Sequence, residues 1–328
     1  GSARQEQSLA RWRLFDRLTP IRDARTILRL TAIMSKIRRA SRPMTARQLI
    51  KGKEANMRIG WIGLGGIGTQ MVKRLRAAGH DVAVYGRGAG LDEATAAGAA
   101  PCSSYAQLAG QSDILFLCAY SDAQMIDILF DQGALTALPP ASTIVIHTTG
   151  SPATAQRIAT AAPDGVHILD ACFSGGPTDV AAGRLTLMIG GEAEALEPVR
   201  PLLETYASHI HHVGPLGHGQ MLKLLNNLLF ATNLMNAAEL VRLAEQQGFP
   251  PALLAQVIGA SSGASYALNL FASPGFTLAA MENIRPYLEK DVATAMTTAQ
   301  EASLDVNAFK RTADYFRRDT QPAAQATK

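Results

Sequence analysis

The sequence predicts an α/β domain with a parallel sheet, followed by one long helix and an all-helical domain. Short apolar strands, among them ILFLC (114–118) and TIVIH (143–147), alternate with helical segments and end at polar turns, as a parallel sheet requires. From Gly219 the pattern changes to a helix with no proline before the Pro250-Pro251 pair. We therefore expect two domains joined by this helix.

Composition restricts the class of protein. The chain has 328 residues, of which 47% are hydrophobic, so two domains can each bury a core of ordinary size. No apolar run approaches the roughly 18 uncharged residues of a membrane span. Three cysteines, Cys102, Cys118 and Cys172, do not make a disulfide framework and indicate a reducing, cytoplasmic compartment. No cysteine pair has metal-ligand spacing, so we predict no metal site.

The first 56 residues differ from the rest in charge. Residues 1–56 hold 14 Lys/Arg against 4 Asp/Glu, begin with Gly1-Ser2 like the remnant of an expression tag, and end where Met57 opens the first strand. Within them IRDARTILRLTAIMSKIRRA has the pattern of a basic amphipathic helix. Three interpretations stay open: a leader or over-extended reading frame, a transit peptide that would direct the chain to the mitochondrial matrix, or a nucleic-acid-binding arm.

The first strand leads into a glycine-rich turn. Residues 57–88 read MRIGWIGLGGIGTQMVKRLRAAGHDVAVYGRG, which is a strand, a turn, an amphipathic helix and a second strand. Its G-x-G-x-x-G glycines permit the turn, let backbone approach a pyrophosphate, and let the helix pack on the strand. This context predicts a Rossmann-type NAD(P)-binding domain over 57–216, and the helical pattern that follows predicts a helical domain over 217–318. The predicted cofactor contacts in the turn are Gly63, Leu64, Gly65, Gly66, Ile67 and Gly68.

The second strand ends at an arginine where NAD enzymes place a carboxylate. The window YGRG (85–88) contains no Asp or Glu, and Arg87 can pair with a 2′-phosphate that a carboxylate would repel. The sequence therefore favours NADP, with NAD possible, and the alternative is a solvated arginine in a turn. Thr148 and Thr149 follow the strand 143–147 and are candidates for the nicotinamide side of the site.

Two further segments carry polar residues in unusual places. Ser174-Gly175-Gly176 offers a hydroxyl and approachable backbone N–H groups, which suits an anion site or a plain turn. In GHGQMLKLLNN (217–227), Lys223 and Asn227 share one stripe of a helix that Met and Leu otherwise cover, the pattern of a buried helix. A buried ammonium costs several kcal/mol, so Lys223 needs either a partner or a lowered pKa that suits proton transfer.

Four motifs in order, GLGGIG, FSGG, GHGQMLKLLNN and EKDVATA, resemble those of the β-hydroxyacid dehydrogenase family over about residues 57–300. The resemblance implies an NAD(P)-dependent oxidoreductase that interconverts a small β-hydroxy acid and its semialdehyde, without a metal. It implies Lys223 as the general acid/base and Asn227 as the residue that orients the substrate. It further implies Ser174 and Gly175 at the substrate carboxylate, and Thr149 and Lys290 at the nicotinamide.

The resemblance also implies that 217–318 is a substrate and dimerisation domain that pairs between subunits, so we expect a homodimer or a homotetramer. We expect a small carboxylate as the substrate partner, and we expect neither a membrane nor a nucleic acid as a partner. The chain differs from the family pattern at Gly86, Cys172 and Asp179-Val180, which leaves the substrate open. An imine reductase on the same scaffold is one alternative. A non-catalytic dehydrogenase fold with a basic nucleic-acid-binding arm is another. The polar tail 319–328 is predicted to be disordered.

Overall fold

The computed structural model describes residues 57–273 and 275–317, and the predicted extension (1–56) and tail (319–328) lie outside them. Eight strands form one sheet in the order β3-β2-β1-β4-β5-β6-β7-β8. Their bounds are β1 Ile59–Ile62, β2 Val82–Tyr85, β3 Ala100–Pro101, β4 Ile114–Leu117, β5 Thr143–Ile146, β6 His167–Ser174, β7 Leu185–Gly190 and β8 Ala207–Gly214.

Helices cover both faces of this sheet and make up all the regular structure described after it. In the α/β part they are α1 Gly66–Ala77, α2 Ala89–Ala96, α3 Tyr105–Gly110, α4 Asp122–Ile126 with a π-helical turn Asp127–Asp131, α5 Ala134–Ala137, α6 Pro152–Ala161, α7 Pro177–Ala181, α8 Ala193–Leu196 and α9 Arg200–Leu203. In the helical part they are α10 His218–Gln246, α11 Pro251–Gly259, α12 Tyr266–Asn269, α13 Leu278–Met281, α14 Arg285–Glu301 and α15 Lys310–Arg317, with 3-10 turns at Leu270–Ala272 and Asn307–Phe309.

The predicted fold class is confirmed, with one departure in the sheet. The pairs from β3 through β6 are all parallel, but β6 and β7 are antiparallel. Only the ten residues Gly175–Arg184, with the short helix α7, connect them. A parallel return needs a crossover of a dozen or more residues, so this connection makes the chain reverse beside β6.

Apolar side chains fill both faces of the sheet. One core cluster contains Trp61, Met71, Leu75 and Leu187, and the cluster on the opposite face contains Leu115 and Ile144, all with almost no exposed surface. Strands β1, β4 and β5 are buried at every position. Burial on both faces is what a parallel sheet covered by helices requires.

The core contains two polar side chains, His147 and Tyr206, that are hydrogen-bonded to each other. Within the core, the His147 ring stacks on Phe116, with Nδ1 2.6 Å from the Ala171 carbonyl oxygen and Nε2 2.9 Å from the Tyr206 hydroxyl. Burial lowers the pKa of His147 to about 4, so the ring is neutral at neutral pH. The pair satisfies its own hydrogen-bonding groups and leaves no charge in the core.

Helix α10 joins the two parts of the fold. It is 29 residues long, which corresponds to about 44 Å. Its first turns pack on β6 and β7, and its later turns pack on α12 and α14. The prediction that its Leu-rich face is buried is wrong in part, because Leu222, Leu225 and Leu229 are 42%, 53% and 56% exposed. These three residues, spaced by three and four, form an apolar stripe that no described residue covers.

Within the described residues, no helix combines the length and the apolar character needed to cross a bilayer.

Candidate active site

The glycine-rich turn lies where β1 meets α1, beside the end of β4. Gly63 has φ +96° and its position leaves no room for a side chain, because a Cβ there would collide with the Cys118 carbonyl. A Cβ at Gly68 would collide with the Gly63 carbonyl, so only glycine lets α1 pack this closely. Gly65 and Gly66, by contrast, face open space. This is the point at which the strand order reverses, and a pyrophosphate can reach the N-terminus of α1 there.

Arg87 follows β2 at the same edge of the sheet. It is exposed, and its guanidinium lies near the Tyr105 hydroxyl, where its charge opposes the rise that burial gives to the pKa of Tyr105. Helix α2 begins two residues later, and a Cβ at Gly90 in its first turn would collide with the Leu64 carbonyl. The N-terminus of α2 therefore touches the glycine-rich turn. Arg87 and two helix N-termini give this end of the edge a positive potential.

The loop after β5 is held by hydrogen bonds to three other segments. The Thr148 hydroxyl accepts a hydrogen bond from the Ala119 N–H at 2.8 Å. The Thr149 carbonyl accepts one from the Lys290 ammonium on α14, also at 2.8 Å. Asp122 accepts one from the Ser151 N–H at 3.0 Å. Burial raises the pKa of Asp122, although the N–H of Ser151 and the charge of Lys290 oppose this. The loop thus has little freedom to move.

The start of α10 is anchored on β6 by Asp170. Its carboxylate accepts hydrogen bonds from the N–H groups of Gly217 at 3.0 Å and Gln220 at 2.6 Å. These are donors that the first turn of a helix leaves without partners. Burial raises the pKa of Asp170 to about 6, against the effect of these two bonds. The anchor fixes the first turn of α10, one turn before Lys223.

Lys223 is 9% exposed. Burial lowers the pKa of its ammonium, and the nearby Asp291 carboxylate opposes the shift. Within the described residues, Lys223 forms no ion pair with any carboxylate at 4 Å or less. The structure therefore contains both features that the sequence offered as alternatives, a lowered pKa and a nearby carboxylate that is not in direct contact.

Asp291 lies between three polar residues of the helical part. One oxygen accepts a hydrogen bond from the Asn227 amide at 2.5 Å. The other lies 2.7 Å from the Lys290 ammonium, but the angles of that contact do not make it a hydrogen bond, so this buried Oδ1 has no hydrogen-bond donor among the described residues. We treat the contact as an ion pair, because attraction between charges depends on distance more than on angle. The negative charge of Asp291 is thus shared among Asn227, Lys290 and, at longer range, Lys223.

The Ser174-Gly175-Gly176 turn ends β6 on the same side. Ser174 lies on the face of β6 that Cys172 occupies, because alternate residues of a strand share a face. Gly175 has φ +127° and begins the reversal towards β7. The Gly176 N–H, however, donates to Asp179 at 2.9 Å, and Asp179 pairs with Arg184 at 3.2 Å. This N–H is occupied within the protein, so Ser174 and Gly175 are the better candidates for an anion contact.

The structure brings Lys223, Asn227, Lys290 and Thr149 into one cluster, and it places the glycine-rich turn and Arg87 further along the same edge. The ends of β2 and β6 are four strands apart, or roughly 19 Å. Sequence reasoning missed Asp170, Gln220 and Asp291. A signal existed for Asp291, since it lies within the EKDVATA motif that carries part of the family resemblance. Among the described residues, no group of three His, Cys, Asp or Glu is arranged to hold a metal.

Comparisons with known proteins identify the family of the chain. Residues 58–214 match the model of the NAD-binding domain of 6-phosphogluconate dehydrogenase, and residues 217–326 match that of the NAD-binding domain of NADP-dependent 3-hydroxyisobutyrate dehydrogenase. An NAD-dependent L-serine dehydrogenase of Pseudomonas aeruginosa is 36% identical over 65% of this chain and 72% of its own.

Two further relatives cover more of the chain. A 3-hydroxyisobutyrate dehydrogenase of Pseudomonas aeruginosa is 32% identical over 77% of this chain and 89% of its own. The solved 3-hydroxyisobutyrate dehydrogenase of Mycobacterium tuberculosis with L-serine is 28% identical, has a TM-score of 0.70, and covers 80% of this chain and 92% of its own. With both halves matched in order, the chain belongs to the β-hydroxyacid dehydrogenase family of NAD(P)-dependent oxidoreductases.

Proposed function

We propose that the chain interconverts a small β-hydroxy acid and its semialdehyde, with Lys223 as the group that moves the proton. The nicotinamide, when bound, supplies or accepts the hydride. In the reducing direction the Lys223 ammonium donates a proton to the carbonyl oxygen. In the oxidising direction the neutral amine removes the hydroxyl proton. Ser174 and Gly175 hold the substrate carboxylate, and Asn227 orients the substrate.

One observation carries this proposal, the environment of Lys223. Its ammonium is buried without a direct ion pair to any residue that the structure describes, and burial lowers its pKa towards the range in which a lysine exchanges protons. A structural lysine in a core is normally paired, because leaving its charge alone costs several kcal/mol. The state that Lys223 occupies is costly for the fold and useful for proton transfer.

We expect Lys223→Met to lower kcat by about 10²–10⁴-fold while the Kd of the cofactor stays within about twofold. Asp291 keeps its contacts to Asn227 and Lys290 in this variant, so we expect little loss of stability. Stopped-flow turnover, cofactor titration and thermal unfolding measure the three quantities. Lys73→Met, which removes an exposed lysine of α1 paired with Glu93, is the control. Substantial residual turnover with a large fall in Tm would show that Lys223 is structural.

We expect Asp291→Asn to move the pH profile to lower pH. The Asp291 carboxylate raises the pKa of Lys223, so its removal lowers that pKa further. The side-chain amide of this variant keeps an oxygen for the Asn227 amide. The reducing reaction needs the ammonium and should lose activity at a lower pH, whereas the oxidising reaction needs the amine and should gain activity there. Profiles of kcat in both directions test the sign, and a profile that is unchanged or moves to higher pH would contradict the assigned coupling.

NADP as the preferred cofactor is supported by Arg87. Its guanidinium lies near Tyr105 and two residues before the start of α2, and the window 85–88 contains no carboxylate to repel a 2′-phosphate. Family membership alone does not decide the question, since one relative is named as NAD-dependent. The residues around this end of the edge favour the phosphorylated cofactor.

Arg87→Ala should weaken NADP binding by about 1.5–3 kcal/mol, or roughly 10–150-fold, and weaken NAD binding much less. Arg242→Ala, which removes an arginine of α10 paired with Glu239, should affect neither cofactor. Fluorescence titration of both cofactors gives the four ratios. If Arg87→Ala weakens NAD and NADP equally, Arg87 does not contact the 2′-phosphate.

The substrate panel follows from the proposed anion contact. Asp179 pairs with Arg184, which balances its charge, and it accepts a hydrogen bond from the Gly176 N–H, so it does not add free negative charge to the site. We would assay 3-hydroxyisobutyrate, tartronate semialdehyde, succinic semialdehyde, glyoxylate and L-serine with both cofactors. Turnover of cyclic imines with no turnover of these carboxylates would favour the imine reductase alternative.

A homodimer, or a tetramer built from dimers, is supported by the apolar stripe of α10. Leu222, Leu225 and Leu229 project from the helix that also carries Lys223, and exposed stripes of this kind mark protein interfaces. Light scattering after size exclusion should show the oligomer for the wild type and a smaller species for Leu225→Glu. Leu304→Glu, at an equally exposed leucine elsewhere, is the control. A monomeric wild type at micromolar concentration would refute the proposal.

A further inference from the structure

The Gln220 side chain is completely buried in the first turn of α10 and makes three hydrogen bonds. Its Oε1 accepts one from the Gly150 N–H at 2.8 Å and one from the Cys172 thiol at 3.1 Å. Its Nε2 donates one to the Thr148 carbonyl at 2.8 Å. A buried glutamine whose amide is hydrogen-bonded in this way connects a helix to a loop and holds the two in a fixed relative position.

The side-chain amide and the backbone of Gln220 are both fixed in position. The amide has one orientation, because the opposite one would place the NH₂ group against the Gly150 N–H and the oxygen against the Thr148 carbonyl. The backbone N–H of Gln220 is held by Asp170, so the residue cannot slide along β6. The side chain therefore fixes the distance between the first turn of α10 and residues 148–150.

The two segments that Gln220 joins carry the two halves of the proposed reaction. Thr149 lies between the two residues that the amide contacts, and its own carbonyl is held by Lys290. Lys223 lies three residues after Gln220, on the same side of α10. The thiol of Cys172, which contacts Gln220, lies near Lys223 as well. In the proposed reaction, the loop 148–150 lies at the nicotinamide, which transfers the hydride, and α10 carries Lys223, which transfers the proton.

We propose that Gln220 is a positioning residue that sets the Lys223 ammonium at the right distance from the nicotinamide loop, so that hydride and proton reach the same carbonyl group. This inference rests on the proposed function of Lys223 and Thr149. Gln220 touches neither substrate nor cofactor and acts through the loop 148–150 and the helix. A misplacement of about 1 Å between reacting groups can lower a rate by about 10²-fold, so loss of the Gln220 hydrogen bonds should have a measurable effect on the rate.

The first test is Gln220→Met, which keeps the length of the side chain and removes its hydrogen bonds. We expect kcat to fall by about 10²-fold while the Kd of NADPH stays within about twofold. We also expect a larger primary deuterium isotope effect with 4-deuterated NADPH, because hydride transfer becomes the slow step. Ser112→Ala, which removes another fully buried hydrogen bond far from α10, is the matched control. If Gln220→Met lowers only the Tm, and kcat and the isotope effect below the Tm match the control, the inference is wrong.

The second test is Gln220→Glu, which decides the question if the methionine variant does not fold. A neutral carboxyl group has one acceptor oxygen and one O–H donor, so it reproduces both loop contacts of the glutamine. An ionised carboxylate only accepts and repels the Thr148 carbonyl. The charged groups that act on the adjacent Cys172, namely Asp170, Lys223, Lys290 and Asp291, are present in both proteins. We therefore expect the ratio of variant to wild-type kcat in the reducing direction to rise towards one as the pH falls. The added charge alone would raise the pKa of Lys223 and would make this ratio rise with pH instead. A ratio that does not change with pH would overturn the inference.

The same set of variants separates this inference from the proposed function. If Lys223→Met is inactive and the Gln220 variants behave like Ser112→Ala, only the positioning role fails. If Lys223→Met retains full turnover, the proposed mechanism fails and the positioning role fails with it.

Discussion

Burial of the Lys223 ammonium between α10 and α14 constrains the arrangement of the residues around it. Removing such a charge from water costs several kcal/mol, and a direct ion pair would recover part of that cost. The structure instead holds Asp291 nearby and engages its oxygens with Asn227 and Lys290. The carboxylate therefore moderates the desolvation of Lys223 without pairing with it. In the proposed mechanism, the ammonium is therefore available to exchange its proton with a substrate oxygen.

The need to hold Lys223 in a fixed position also accounts for the hydrogen bonds that join α10 and α14 to the α/β part of the fold. A proton donor on α10 is effective only at a fixed distance from the carboxyl ends of the strands. Asp170 holds the backbone of the first turn of α10, Gln220 holds the loop after β5, and Lys290 reaches that loop from α14. The three contacts are made by residues of β6, α10 and α14. They leave the helical part with few ways to shift relative to the edge of the sheet.

Local patterns in the sequence predicted the parts of the molecule that depend on neighbouring residues. The βαβ unit, the glycine spacing and the isolated lysine of α10 are all visible within about 30 residues. The partners of these elements are not visible in that way. Asp291 is 64 residues from Asn227, and Asp170 is 50 residues from Gln220. Only tertiary packing brings such pairs together, and no periodic pattern encodes it.

The same limit explains the predictions that were wrong or incomplete. The antiparallel β7 depends on the length of a connection, and the exposed stripe of α10 depends on where its neighbours end. The N–H of Gly176 was expected to be available to an anion, but a side chain three residues later occupies it. In each case the local sequence allowed two outcomes. The choice between them was made by residues elsewhere in the chain or by the geometry of a turn.

The contact between Gly90 and the Leu64 carbonyl has a consequence for redesign of cofactor preference. A side chain at position 90 would push directly on the backbone of the glycine-rich turn, and a Cβ at Gly86 would lie 2.8 Å from the Leu64 side chain. A carboxylate could therefore be introduced at position 87 with little strain, and at position 86 the Leu64 side chain would have to move aside. At position 90 the new side chain would press on the Leu64 carbonyl and deform the glycine-rich turn. Libraries that randomise this loop should keep Gly90, because a variant without it would deform the turn that we propose binds the pyrophosphate common to both cofactors.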